Sequence, residues 1–201
     1  MDARVGPLSV RLFPTSISLS SPLSLPRLLK VNPRGAVPVM RDLATDTWVV
    51  DSGVICDWLE DKFPDPAMGH VADAPAAGGD VFPAFVAFLK ADEADAAVSA
   101  EKEAALTAAL VKLADYLKEQ GRPFLGPGPG FGAGDAALSP KLFHMTVALP
   151  HFKKAGWALP PGAEAVGEYL ARLKALPAWK ACEYGPDAVI AGWNRHLAQK
   201  H

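Results

Sequence analysis

Leu106, Leu110, Leu113 and Leu117 recur at helical spacing, and Gly121 follows them where a helix ends in a left-handed residue. Phe82, Phe85, Val86 and Leu89 form a similar stripe just before. Two consecutive apolar stripes of this kind bury themselves most readily against one another and against further helices, so they constrain the chain more than any other feature. The rest of the C-terminal part fits that frame. Leu138 to Leu149 is mostly apolar, with Pro140 near its start and Pro150 after it. Val166, Tyr169, Leu170 and Leu173 mark another amphipathic helix, and Pro177 opens a short one with Trp179. Ala188 to Trp193 is apolar and is expected to pack back on the body. A flexible glycine-proline loop spans Gly126 to Gly134. About five helices are expected in all.

The preceding segment has a different period. Val37-Pro38-Val39, after a Pro-Arg-Gly turn signal, and Trp48-Val49-Val50 read as two short strands. Asp42 to Thr47 is polar and short enough for the hairpin connection. Asp51-Ser52 then opens a helix, with Ser52 expected as its N-cap. Val54, Ile55, Trp58 and Leu59 supply its apolar positions, and it should stop before Pro64. Asp65 to Gly79, rich in Pro, Ala and Gly, reads as a linker.

Composition excludes several functions. The chain has 201 residues, half of them hydrophobic, so it can build a substantial core. A formal net charge of −2 gives no electrostatic case for a nucleic-acid partner. No apolar run has the length of a membrane span. Two cysteines, Cys56 and Cys182, do not make a disulfide framework, and no Cys/His cluster has zinc-ligand spacing, so no metal is expected. From Arg4 to Arg41 the chain has no acidic residue, but it has several arginines and serines. Such a start reads as an organelle transit peptide, with a low-complexity tail or a misassigned gene start as alternatives.

Asn32-Pro33-Arg34-Gly35-Ala36-Val37-Pro38-Val39 resembles the Asn-Pro-x-Gly-x-Val-Pro segment of glutathione transferases, and Trp48-Val49-Val50-Asp51-Ser52 resembles their next strand and acidic-Ser turn. Other strings are similar to the plant dehydroascorbate reductase branch: Val81 to Lys90, Leu138 to His144, Val147 to Lys153, and Val189 to Trp193. The resemblance runs from about Leu29 to Trp193. It implies an α+β to mostly α fold: a truncated thioredoxin-like N-terminal module, then an all-helical glutathione transferase C-terminal domain. The expected organisation is a divergent or transit-like segment over 1–28, a partial glutathione-binding module over 29–66 and the helical domain over 80–201. The family's opening strand, its Cys-Pro-Phe helix start and its second strand have no counterpart here. Leu8 to Phe13 alternates apolar and polar and is the one candidate replacement strand.

The family reaction reduces dehydroascorbate to ascorbate with two glutathiones, and its nucleophile is a cysteine thiolate at a helix N-terminus. No residue is assigned that catalytic role here, because the family cysteine is absent. The resemblance implies that Val37, before a cis Pro38, pairs its backbone with glutathione, and that Asp51 and Ser52 hold the γ-glutamyl end. On spacing alone Val37 is an ordinary strand residue and Ser52 a helix cap. His144 and Trp193 are implied ascorbate contacts; by residue type alone they are a satisfied core histidine and a packing anchor. Cys56 is expected to be buried and inert, and Cys182 exposed. The resemblance also places Asp135, after the glycine loop, at the acidic position of the family's helix capping box, a structural role.

The resemblance thus implies a glutathione-dependent dehydroascorbate reductase with glutathione as co-substrate, working as a monomer in the cytoplasm or chloroplast. The alternative is a catalytically inactive glutathione-binding or interaction protein that has lost the nucleophile. A third reading is a conjugating transferase, which needs a hydroxyl beside the sulfur that no residue here is seen to supply.

Overall fold

The computed structural model describes residues 24–126, 130–153 and 156–198, and the Leu8–Phe13 segment lies outside them. The chain divides into two compact units, the first ending at Ala72 and the second beginning at Asp73.

Among the described residues the first unit begins with helix α1 (Ser24–Val31), which the acid-poor composition of this stretch conceals. Asn32 ends it. The buried Asn32 side chain donates from Nδ2 to the Ala36 carbonyl (2.7 Å) and accepts the Arg34 amide at Oδ1 (3.2 Å). Its own carbonyl accepts from Gly35 (2.9 Å), which sits at φ 65°, where a side chain is disfavoured. These bonds fold the Asn-Pro-Arg-Gly loop that leads into the cis Val37–Pro38 peptide.

Strands β1 (Val39–Asp42) and β2 (Thr47–Val50) follow as an antiparallel pair. They are the two strands of the sheet among the described residues. Val39 pairs with Val50 and Met40 with Val49. The strands extend further into the turn than the apolar pattern suggests. Asp42 accepts the Ala44 amide (2.9 Å) and the Thr45 hydroxyl (2.8 Å), so polar side chains stabilise the pairing where apolar ones are lacking. Helix α2 (Ser52–Lys62) lays Ile55 on Met40 and Val49, with Trp58 and Leu59 at the margin. Val54, expected on the apolar face, is exposed. The start of the linker is held by α2 carboxylates: Glu60 accepts from Met68 and Gly69, and Asp57 from Val71.

The second unit contains helices α3 (Val81–Lys90), α4 (Ala96–Gln120), α5 (Ala133–Phe152), α6 (Glu164–Ala175), α7 (Pro177–Cys182) and α8 (Pro186–Ala198). Asp95 caps α4 by accepting the Val98 amide (3.0 Å), and Gly121 ends it at φ 63°. Its leucine stripe is buried as the periodicity requires, together with Phe85, Leu142, Met145, Leu149, Tyr169 and Leu173.

Helix α5 begins before the apolar run that announces it and continues through both prolines. An interior proline costs a helix about 3 kcal/mol. Two of them cost about 6 kcal/mol; burying Leu138, Leu142, Phe143, Met145 and Leu149 returns roughly 1.5–3 kcal/mol each, so packing outweighs that penalty. Asp135 anchors the N-terminus of α5. Its fully buried carboxylate accepts from Gly132 N (2.9 Å), Leu125 N (2.8 Å) and the Tyr169 hydroxyl (2.6 Å). The first bond is the capping-box contact expected from sequence; the other two tie a loop and α6 to the same atoms. Burial and this bond push the Tyr169 hydroxyl well above its usual pKa. Among the described residues, no helix is long and apolar enough to cross a membrane.

Candidate functional site

The first unit gathers four of the sequence-selected residues at one end of its hairpin. Val39 pairs with Val50, so Pro38 and Asp51 flank the same end of the ladder. Val37 and Pro38 are half-buried beside their cis peptide, while Asp51 and Ser52 are exposed. Asp51 has φ 84° and ψ 136°, a strained conformation for a residue with a side chain. It is also the helix N-cap: its Oδ1 accepts the Gly53 amide (2.8 Å) and its carbonyl accepts Ile55 N (3.0 Å). The expectation that Ser52 caps α2 is therefore corrected. Ser52 is the first helical residue, and its hydroxyl is left available beside the positive end of the helix. The chemistry at this end is mixed. A carboxylate suits an ammonium group, and a hydroxyl with a helix N-terminus suits a carboxylate.

The second unit brings His144 of α5 and Trp193 of α8 together, with ring centroids 6.2 Å apart and planes at 76°. Trp193 is buried, packs edge-on to Phe85 (5.3 Å) and meets His196 on α8 (5.3 Å). Its indole N–H is buried with no hydrogen-bond partner among the described residues. His144 Nε2 lies 2.7 Å from the Tyr184 hydroxyl. Burial holds the imidazole below its usual pKa and pushes the Tyr184 hydroxyl up. The His144 ring is thus neutral at pH 7, oriented by a phenol on one side and an indole on the other. Tyr184 escaped the sequence reading. It lies in an irregular stretch after α7, forty residues from His144, with no local signal of the pairing. Asn32 also lacked an assigned role, although its position before proline is a turn signal.

Two domain models of one family match this chain: the glutathione S-transferase N-terminal domain over residues 14–62 and the C-terminal domain over 96–172. Glutathione S-transferase DHAR2 of Arabidopsis thaliana is 34% identical over 165 residues, covering 82% of this chain and 73% of the relative. The chain belongs to the glutathione S-transferase family. The probable chloroplastic glutathione S-transferase DHAR2 of Oryza sativa subsp. japonica is 33% identical over 165 residues, again 82% of this chain. The chain spans 57% of that relative's length. Among solved structures, the Tau class glutathione S-transferase MiGSTU of mango, Mangifera indica, superimposes with a TM-score of 0.69 at 19% identity. It covers 90% of this chain and 84% of its own, a likeness of fold.

Neither cysteine of this glutathione S-transferase has the setting of an activated nucleophile. Cys56 lies in the second turn of α2, half-buried where full burial was expected, and burial with the nearby Asp57 and Asp51 charges pushes its thiol up. A raised pKa removes thiolate at pH 7. Cys182 is the last residue of α7 and is exposed, as expected; its Sγ donates to the Ala178 carbonyl (3.1 Å).

Proposed function

We propose that this chain binds glutathione as a member of the dehydroascorbate reductase branch, and that neither Cys56 nor Cys182 supplies the nucleophile of that reaction. The observation that carries the reading is the Val39–Val50 register, which sets cis-Pro38 and the strained Asp51-Ser52 turn at one end of the hairpin. There the Val37 backbone pairs with the cysteinyl backbone of glutathione in strand fashion. Asp51 faces the γ-glutamyl ammonium, while Ser52 and the α2 N-terminus face its carboxylate. His144 and Trp193 supply the ascorbate contacts, His144 as a neutral hydrogen-bonding ring and Trp193 as an apolar wall. The DHAR names of relatives at 33% and 34% identity support this branch over other glutathione-using families. The reaction those contacts serve is the reduction of dehydroascorbate to ascorbate by two glutathiones. A thiolate must attack first, and the raised Cys56 thiol does not provide one.

Calorimetric titration with glutathione tests the binding half. Weak, millimolar binding is expected, lowered roughly tenfold or more by Ser52→Ala, since a hydrogen bond to a charged group contributes about 1.5–3 kcal/mol. Micromolar affinity contradicts the half-site. For the chemical half, the purified chain should reduce dehydroascorbate no faster than glutathione does alone. A rate well above background that disappears in Cys56→Ser or Cys182→Ser overturns the assignment.

A further inference from the structure

In the second unit, α4 meets the segment 156–161 across a pocket of about 270 Å³. Glu103, Leu106 and Thr107 line it from the helix, and Trp157, Leu159 and Pro160 are among the residues facing them. Glu103 and Thr107 are one helical turn apart, so the carboxylate and the hydroxyl stand on one side of α4. The facing segment is fixed in place. Two consecutive prolines, Pro160 and Pro161, set its backbone φ. The Pro160 carbonyl accepts from Ala163 N (3.1 Å), and Gly162 N donates to Glu164 Oε1 (2.9 Å). Lys118 Nζ donates to the Gly162 carbonyl (3.4 Å), which ties the segment to α4. Trp157 and Leu159 pack on the helical core. The pocket is therefore preformed, as small-molecule sites usually are.

Glu103 is the one charged residue on this lining, and the segment facing it supplies no cation. It is half-buried, and its carboxylate has no hydrogen bond or ion pair among the described residues. Its neighbour Lys102 is directed to Glu101 instead (2.7 Å). An indole beside a carboxylate also attracts positive charge, through the negative face of its π system. A bare metal ion needs more oxygen ligands than the one carboxylate and one hydroxyl these side chains offer. The apolar walls of Leu106, Leu159 and Pro160 suit instead a cation that carries its own methyl groups.

We propose that this pocket binds a small alkylated ammonium ion, with Glu103 as its counter-ion, Trp157, Leu106 and Leu159 around its methyl groups, and Thr107 as partner for a hydroxyl on the ligand. None of these residues belongs to the glutathione contacts or to the His144–Trp193 pair. The site is separate from the function proposed above, and the failure of either leaves the other intact.

The probe is choline, titrated against the whole chain by saturation-transfer NMR of its methyl protons. The control is its uncharged isostere, in which a tert-butyl group replaces the trimethylammonium. Saturable binding is expected with a dissociation constant of the order of 1 mM, a modest affinity for so few atoms. The uncharged isostere should bind about tenfold more weakly, since it lacks the charge that Glu103 and Trp157 attract. Glu103→Gln should weaken choline about fivefold, the upper range for an ion pair at a half-exposed position, and leave the circular dichroism of the chain unchanged. In proton–nitrogen correlation spectra of the isotope-labelled chain, choline should shift the Trp157 indole N–H signal, identified by its loss in Trp157→Phe. The Trp193 signal, identified in the same way, should stay in place. Equal binding of the isostere, undiminished choline binding in Glu103→Gln, an unmoved Trp157 signal, or no saturation up to about 10 mM choline each overturns the proposal.

Discussion

The two units solve the same problem with very different means. The first sets Met40 and Val49 from a two-stranded ladder against Ile55 from α2, with Trp58 and Leu59 at the edge. The second packs α3, α4, α5, α6 and α8 around residues such as Phe85, Leu110, Leu142, Met145, Tyr169 and Leu173, all essentially without solvent contact. A two-stranded hairpin is marginal in water, and the first unit compensates with local polar devices: the Asn32 loop, the Asp42 turn and the Asp51 cap. The second depends on apolar burial and, among the described residues, on the buried Asp135 carboxylate. The proposed glutathione contacts therefore lie on the thinner structure, where strain at Asp51 and half-buried residues leave backbone groups accessible to a ligand. The proposed ascorbate contacts lie on the thicker one, where rings are fixed by packing.

The strongest way to break this contrast is at Asp135. Replacing it with Ala leaves two backbone amides and the Tyr169 hydroxyl without their acceptor. At about 1–3 kcal/mol for each orphaned group, partly relieved by water, the second unit should lose roughly 4 kcal/mol in urea unfolding followed by helical circular dichroism. A loss below about 1 kcal/mol means that the helical core does not need this anchor.

Met40→Ala sharpens the contrast from the other side. It should cost about 2 kcal/mol, the low end for such truncations, because a thin core relaxes easily. Hydrogen exchange should speed up over 39–62 and stay unchanged in the Leu106–Leu117 amides. Equal acceleration in both places means that the units unfold as one.

Asn32→Ala should have a smaller effect, about 1–2 kcal/mol, by freeing the Ala36 carbonyl and the Arg34 amide. It should also weaken glutathione binding several-fold, since that loop leads into Pro38. Unchanged calorimetry would separate the loop from the ligand site.

The smallest expected effect is a pH dependence. Burial holds His144 below its usual pKa of 6.5, so the unfolded chain takes up the proton first as pH falls. Stability from this group is fully present above about pH 6.5 and declines below it, until the folded imidazole protonates as well. His144→Gln should flatten the urea midpoint of the second unit over this range. An unchanged slope would assign the pH dependence to other groups.

Much of this was legible before any coordinates. Leucines four, three and four residues apart, an Asp three residues into α5 and a Gly after α4 are relations within a turn or two of helix, and such relations survive in linear sequence. The Val-Pro and Asp-Ser strings located the hairpin end through resemblance. What escaped had other causes. Helix α1 lies in an acid-poor, serine-bearing stretch whose composition suggests a tail. Asp51 and Ser52 are both good caps by type, and the positive φ of Asp51 decides between them. Pro140 and Pro150 look like helix ends, and the burial energy of the residues between them determines otherwise.

The sequence by itself determined both strands and most of the helices, α1 excepted, their order, and which apolar faces must be covered, because these follow from periodicity and from caps a few residues away. Tertiary structure alone decided that Tyr184 holds His144 and that Asp135 serves a loop and a second helix besides its own cap. Each of those facts joins residues tens of positions apart. Their meeting depends on how α5, α6, α7 and α8 pack together, and no local pattern carries that information.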